Sequence, residues 1–151
     1  MSKTKDLINE LLVKVFNQIL SIEEEVLRKE GVLLSMTEVH VLEAIRNSDN
    51  PTMTNVATKL RVTVGTLTTS VTTLVKKGYV ERRRSEDDKR VVLLSLTRSA
   101  LKVLEIHDNF HDEMIEAAVK DLKLEEDKVL VKSLKGVNDY FKSKYWNWTM
   151  V

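Results

Sequence analysis

The feature that most restricts this chain is a change of hydrophobic period at one glycine. Before Gly78, the apolar residues Val56, Ala57 and Leu60, and then Leu67, Val71 and Leu74, recur at helical steps. After it, Tyr79 to Arg84 and Arg90 to Leu96 are β-compatible runs joined by the polar turn-formers Ser85-Glu86-Asp87-Asp88-Lys89. Thr54 and Thr63 offer hydroxyl N-caps for the two short helices, and about three residues connect them. Gly78 sits where a helix ends, with Lys76 and Lys77 near the negative end of its dipole. Two short helices, a tight turn and an immediate hairpin make a winged helix-turn-helix over about 54–96.

The flanks read as longer amphipathic helices. Leu7, Leu11, Leu12, Val15, Phe16, Ile19, Ile22 and Val26 form the stripe of a first helix that ends near Gly31. A second helix runs from about Ser35 to Asn47 and is broken by Asn47-Ser48-Asp49-Asn50-Pro51. Thr97 caps a fifth helix reaching about Asp121, and a sixth carries Val129, Leu130, Leu134, Val137 and Phe141. The tail Tyr145-Trp146-Asn147-Trp148 holds both tryptophans. The expected fold is mainly α with a small β wing: four helices, a hairpin, two helices. It is expected to be one domain over 1–151, with a winged-helix lobe at about 35–97 and flanking amphipathic helices at about 4–30 and 98–146 whose apolar stripes need a partner.

Composition narrows the function classes. Without cysteine there is no disulfide framework, thiolate nucleophile or Cys-based zinc site. The N-terminus mixes charged and apolar residues, unlike a signal peptide, and no apolar run reaches membrane-spanning length, so a soluble, cytoplasmic protein is expected. No Gly-rich phosphate loop, nucleophile elbow or recognisable carboxylate pair suggests an enzyme. Net charge is only +1, yet residues 59–90 carry 9 Lys/Arg against 4 Asp/Glu, while 1–58 carry 6 against 9 and 91–151 carry 9 against 10. One basic block in a neutral chain suits a localised phosphate-binding surface, and equally a solvated charged hairpin.

In the fourth helix the core positions leave Thr66, Thr69, Ser70 and Thr73 outward, with Gly65 and Thr68 beside them. Five threonines between residues 66 and 73 cost helix propensity, so something other than helix stability selects them. Hydroxyls donate and accept, and the threonine methyl matches the thymine C5 methyl, so this face suits a major groove. Gly65 lets the backbone approach a phosphate. From the wing, Arg82, Arg83 and Arg84 lead into the turn past Ser85, and Lys89 and Arg90 leave it. A guanidinium there suits a narrow A·T-rich minor groove, with Asp88 two residues away to orient Arg90. A winged helix that binds protein rather than specific DNA is the competing class.

The stretch VTVGTLTTSVTTLVKKGYVERRRSEDDKRVVLLSLT resembles the winged helix of the MarR family, most specifically in Lys77-Gly78-Tyr79-Val80-Glu81-Arg82, Asp88-Lys89-Arg90 and Leu96-Thr97. The family usually has glycine near position 100, where this chain has Ala100. The resemblance implies an obligate homodimer made by the first, fifth and sixth helices, binding a pseudo-palindromic operator with one recognition helix per half-site. Within the family, Val64-Gly65-Thr66-Leu67-Thr68-Thr69-Ser70, Arg84-Ser85-Glu86 and His107-x-x-Phe110-His111 are similar to the FabT-type repressors of fatty-acid synthesis genes in Gram-positive bacteria. That similarity implies long-chain acyl-acyl carrier protein as corepressor.

An acyl chain needs an apolar tunnel between helices. The expected lining is Phe16, Ile19 and Leu20 of the first helix, Met36 of the second and Phe110 and Met114 of the fifth, with His40, His107 and His111 at its mouth. The same residue types at helical spacing also suit ordinary core. The alternative effector is zinc, held by His40, His107, His111 and Glu24 or its neighbour Glu23. These look like the ligands of a zinc-sensing repressor of the family whose second site uses a cysteine absent here. No other cofactor is expected.

Overall fold

The computed structural model describes residues 2–120, 123 and 126–145. Asp121 and both tryptophans lie outside the described residues. The elements are α1 (Lys3–Asn9), a π-helical stretch (Glu10–Val15), α2 (Phe16–Lys29), α3 (Met36–Arg46), α4 (Met53–Leu60), α5 (Val64–Lys76), β1 (Val80–Arg84), β2 (Val92–Leu96), α6 (Arg98–Lys120) and α7 (Lys128–Tyr145). The order matches the mainly-α winged-helix expectation. The first helix differs in detail, since six residues of π geometry interrupt it.

Where the sequence suggests one domain over 1–151, the chain groups into two compact units, 1–107 and 108–151, with the boundary inside α6. In the first unit the core is built from α3, α4, α5 and the wing. Val39, Leu42, Val56, Val71 and Leu74 are fully buried, and Leu27 of α2 and Ala100, Val103 and Leu104 of α6 join the same cluster. The chain contributes only methyl-bearing side chains there, so burial itself supplies most of the cohesion. In the second unit, α7 starts at Asp127, whose carboxylate accepts from the backbone N–H groups of Val129 and Leu130, each at 3.0 Å.

Three helix ends share one device. Val32 N–H donates to Leu27 C=O and Gly31 N–H to Arg28 C=O, and the same pair of bonds recurs from Tyr79 to Leu74 and from Gly78 to Val75. Gly31 and Gly78 take φ of 79° and 83° at these turns, a conformation open to glycine without cost. The third copy closes α4, where Val62 N–H reaches Ala57 C=O and Arg61 stands at φ 58° in place of glycine. That turn sets α5 against α4.

The first unit also leaves an apolar stripe uncovered. Leu7, Leu11, Leu12 and Phe16 are each about half exposed on α1, the π stretch and the start of α2. In the second unit Val129, Leu134, Val137 and Tyr140 of α7 are similarly exposed, and α7 buries no residue. Two long helical faces of this kind mark surfaces made for association. Among the described residues, no helix is long and apolar enough to cross a membrane.

Candidate nucleic-acid interface

The two short helices are placed by their caps. Thr63 accepts from Thr66 N–H at 3.1 Å and starts α5 where the sequence suggests. For α4 the cap is Thr52, not Thr54: its hydroxyl accepts from Asn55 N–H at 3.1 Å. The reason lies across the fold. Pro51 C=O accepts from Leu94 N–H at 2.8 Å and Thr52 bridges Leu93, so the segment before α4 is tied to the wing and the helix begins at once.

α5 buries Leu67, Val71 and Leu74, each 1% exposed or less, and thereby turns Gly65, Thr66, Thr68 and Thr69 to solvent, with Ser70 and Thr73 half-buried at the margins. Its hydroxyls are largely committed to the helix itself. Thr68, Thr69, Thr72 and Thr73 donate to the carbonyls of Val64, Gly65, Thr68 and Thr69, at 2.7, 3.3, 2.8 and 3.3 Å.

The wing is an antiparallel pair in which Val80 faces Leu96 and Arg84 faces Val92. Val80 and Leu94 are buried at the base of the hairpin. Arg82 and Arg84 share their face by strand alternation but run beyond the core and stay exposed, while Arg83 points to the other face. Strand β2 begins at Val92 rather than Arg90, because Asp88 to Val91 form the turn: Val91 N–H donates to Asp88 C=O and Ser85 N–H to Val91 C=O. Arg84 closes the tip by donating to Lys89 C=O at 2.8 Å. Asp88 grips Arg90 through Nε and Nη2, both at 3.1 Å, and through its backbone N–H at 3.0 Å. The Arg90 side-chain bond, and after it the backbone bond, hold the Asp88 carboxyl below its ordinary value of 3.8. Arg90 itself remains 91% exposed, a fixed but open guanidinium.

One residue that helical spacing alone misses joins the two elements. Thr72 accepts from Arg82 Nη1 at 3.2 Å, tying the first wing strand to the reading helix. Lys77, by contrast, is drawn away from this surface. Its ammonium bonds Leu33 C=O and both oxygens of Glu38, the shortest at 2.9 Å, and pins the end of α5 to α3. Between α4, α5 and the wing lies an open cleft of about 780 Å³, lined by Arg82, Arg83, Arg84 and Arg90 on one side and Asn50, Asn55 and Thr68 on the other. Such a cleft can seat a strand of phosphates while α5 enters a groove.

The residues suggested for an effector are distributed differently. Met36 is a core side chain, 4% exposed, in the same cluster as Leu27 and Val39. Phe16 is 57% exposed, Ile19 and Leu20 are half-buried, and Leu20 packs on the core. Phe110, His111 and Met114 belong to the second unit, each half-buried, with the Phe110 and His111 rings edge to face at 5.8 Å. His40 is exposed on α3, and Glu24 is spent at the start of that helix, accepting from Met36 N–H at 3.0 Å. It is Glu23, 3% exposed, that meets the buried His107, with Nε2 3.6 Å from its carboxylate, while Nδ1 lies 3.4 Å from Glu43. This carboxylate–imidazole–carboxylate chain links α2, α6 and α3 within the first unit.

Comparison with known proteins identifies the family. Residues 34–92 match the MarR family model. The chain is 30% identical over 80 residues to the HTH-type transcriptional regulator YhjH of Bacillus subtilis, a match over 53% of this chain and just under half, 46%, of that protein. It is 32% identical over 104 residues to the HTH-type transcriptional regulator SarZ of Staphylococcus haemolyticus, 69% of each chain. Among solved structures, Streptococcus pneumoniae FabT in complex with DNA superposes with a TM-score of 0.80 at 36% identity, covering 92% of this chain and 98% of that one. The helical order, the two-stranded wing and these likenesses together assign the chain: it belongs to the MarR family of DNA-binding transcriptional regulators.

Proposed function

We propose that this regulator is a homodimeric repressor of fatty-acid biosynthesis genes, binding a pseudo-palindromic operator with long-chain acyl-acyl carrier protein as corepressor. The observation that carries the reading is the likeness to the pneumococcal FabT–DNA complex over 92% of the chain, at 36% identity. The Val64 to Ser70 stretch, which resembles FabT-type repressors in sequence, forms the exposed first half of α5. The uncovered stripes on the first helices and α7 supply surfaces for a second copy. Two copies related by a two-fold axis present two α5 helices to successive turns of a duplex.

The test is a titration of purified protein onto promoter DNA from fatty-acid synthesis genes, with and without acyl-acyl carrier protein. Tightening by at least about fivefold, the low end of allosteric coupling, supports the reading. Unchanged affinity overturns the lipid signal and leaves DNA binding standing.

A further inference from the structure

The reading face of α5 is poor in hydrogen-bond donors. From Val64 to Val75 the helix contains no charged residue and no amide side chain, so hydroxyls are its only polar groups. Each hydroxyl has one hydrogen. Those of Thr68, Thr69, Thr72 and Thr73 are given to the helix's own carbonyls. What the exposed Thr68 and Thr69 still offer is oxygen lone pairs and γ-methyl groups.

Guanine presents only acceptors, N7 and O6, to the major groove, so Thr68 and Thr69, whose hydrogens are given to the helix, have nothing to donate to it. Thymine presents a C5 methyl, and its partner adenine an amino donor. We infer that Thr69, with Thr68 beside it, selects A·T pairs by contact of its γ-methyl with a thymine C5 methyl, the hydroxyl serving the helix rather than the base. This rests on the DNA-binding reading and adds to it a chemical rule for the bases read: the methyl, not the hydroxyl, carries the specificity.

The experiment enriches full-length protein on a pool of random duplexes and then remakes the best-bound duplex with deoxyuridine in place of thymidine, base by base. Affinities are measured for the natural chain, Thr69→Val, which keeps a methyl at each position and loses the hydroxyl, and Thr69→Ser, which does the reverse. Thr68→Val and Thr68→Ser repeat the pair one position away, and helical circular dichroism confirms that each variant is folded. The expected result is enrichment of A·T pairs beneath α5, a loss of about fourfold per half-site on removal of the contacted thymine methyl, and a similar loss for Thr69→Ser, since one buried methyl is worth about that factor. Thr69→Val keeps the penalty for deoxyuridine, and Thr69→Ser ceases to notice it. Guanines selected beneath Thr68 and Thr69, indifference to deoxyuridine, or a greater loss for Thr69→Val than for Thr69→Ser overturns the inference while leaving DNA binding intact. A pool from which no duplex is enriched overturns both.

Discussion

The reading helix and the wing face the same cleft but are held in place by opposite means. α5 is fixed from behind, by three side chains almost wholly removed from water and by capped ends at Thr63 and Gly78. It carries no charge on its exposed first three turns. The wing's base is anchored in the same core by Val80 and Leu94, but its tip is fixed from the front, by hydrogen bonds among its own exposed polar groups, and its exposed side chains are largely arginine. A surface that reads bases needs exact placement and gains little from charge. One that grips phosphates gains from charge and tolerates motion.

The largest effect separating the two should come from the back of the helix. Leu74→Ala opens a cavity in a fully buried position, so thermal or urea unfolding should show a loss of about 2 to 5 kcal/mol. No single substitution of an exposed wing arginine should approach that. Next in size is the join. Thr72→Val removes the acceptor for Arg82, leaving the wing intact but its first arginine free to swing. Operator affinity should fall by about fivefold, the worth of one hydrogen bond near 1 kcal/mol, with unfolding temperature nearly unchanged.

The smallest effect concerns the tip. Because Arg90 lowers the Asp88 carboxyl below 3.8, the ion pair is in place at neutral pH and is lost only as pH falls through the depressed value. A carboxyl titration followed by NMR should therefore show a higher Asp88 midpoint in Arg90→Ala than in the natural chain, moved toward 3.8 but not fully to it, because the backbone bond remains. An identical midpoint in both would mean that the tip is held some other way.

Much of this arrangement was legible in the residues, and the exceptions have local causes. Thr63 and Gly78 bracket α5 unambiguously because one is the only hydroxyl cap in place and the other the only residue free to take positive φ at the turn. The start of α4 was not legible, since Thr52 and Thr54 are equally good caps. The choice is made by Pro51 and Thr52 binding β2, some forty residues later in the chain. Thr72 escaped notice because a helical wheel gives direction but not the reach of Arg82 from another element. Glu23 and Glu24 are adjacent and chemically alike. Their roles separate only because successive helical positions point about 100° apart, one toward His107 and the other to the start of α3. Met36 is one more apolar side chain in the sequence, and its burial in the core cluster with Leu27 is set by packing between helices that the sequence does not spell out.

The central claim, that bases and phosphates are handled by separate elements, is tested most directly by measuring the salt dependence and the sequence ranking of operator binding together. The two variants needed are Thr69→Ser and Arg90→Ala. The account predicts that Arg90→Ala lowers the slope of log affinity against log salt by about 0.9, the share of one phosphate, and weakens all duplexes alike. It predicts that Thr69→Ser leaves that slope unchanged and compresses the ranking among duplexes. A Thr69→Ser variant with an altered salt slope, or an Arg90→Ala variant that reorders the sequences as strongly, would contradict it.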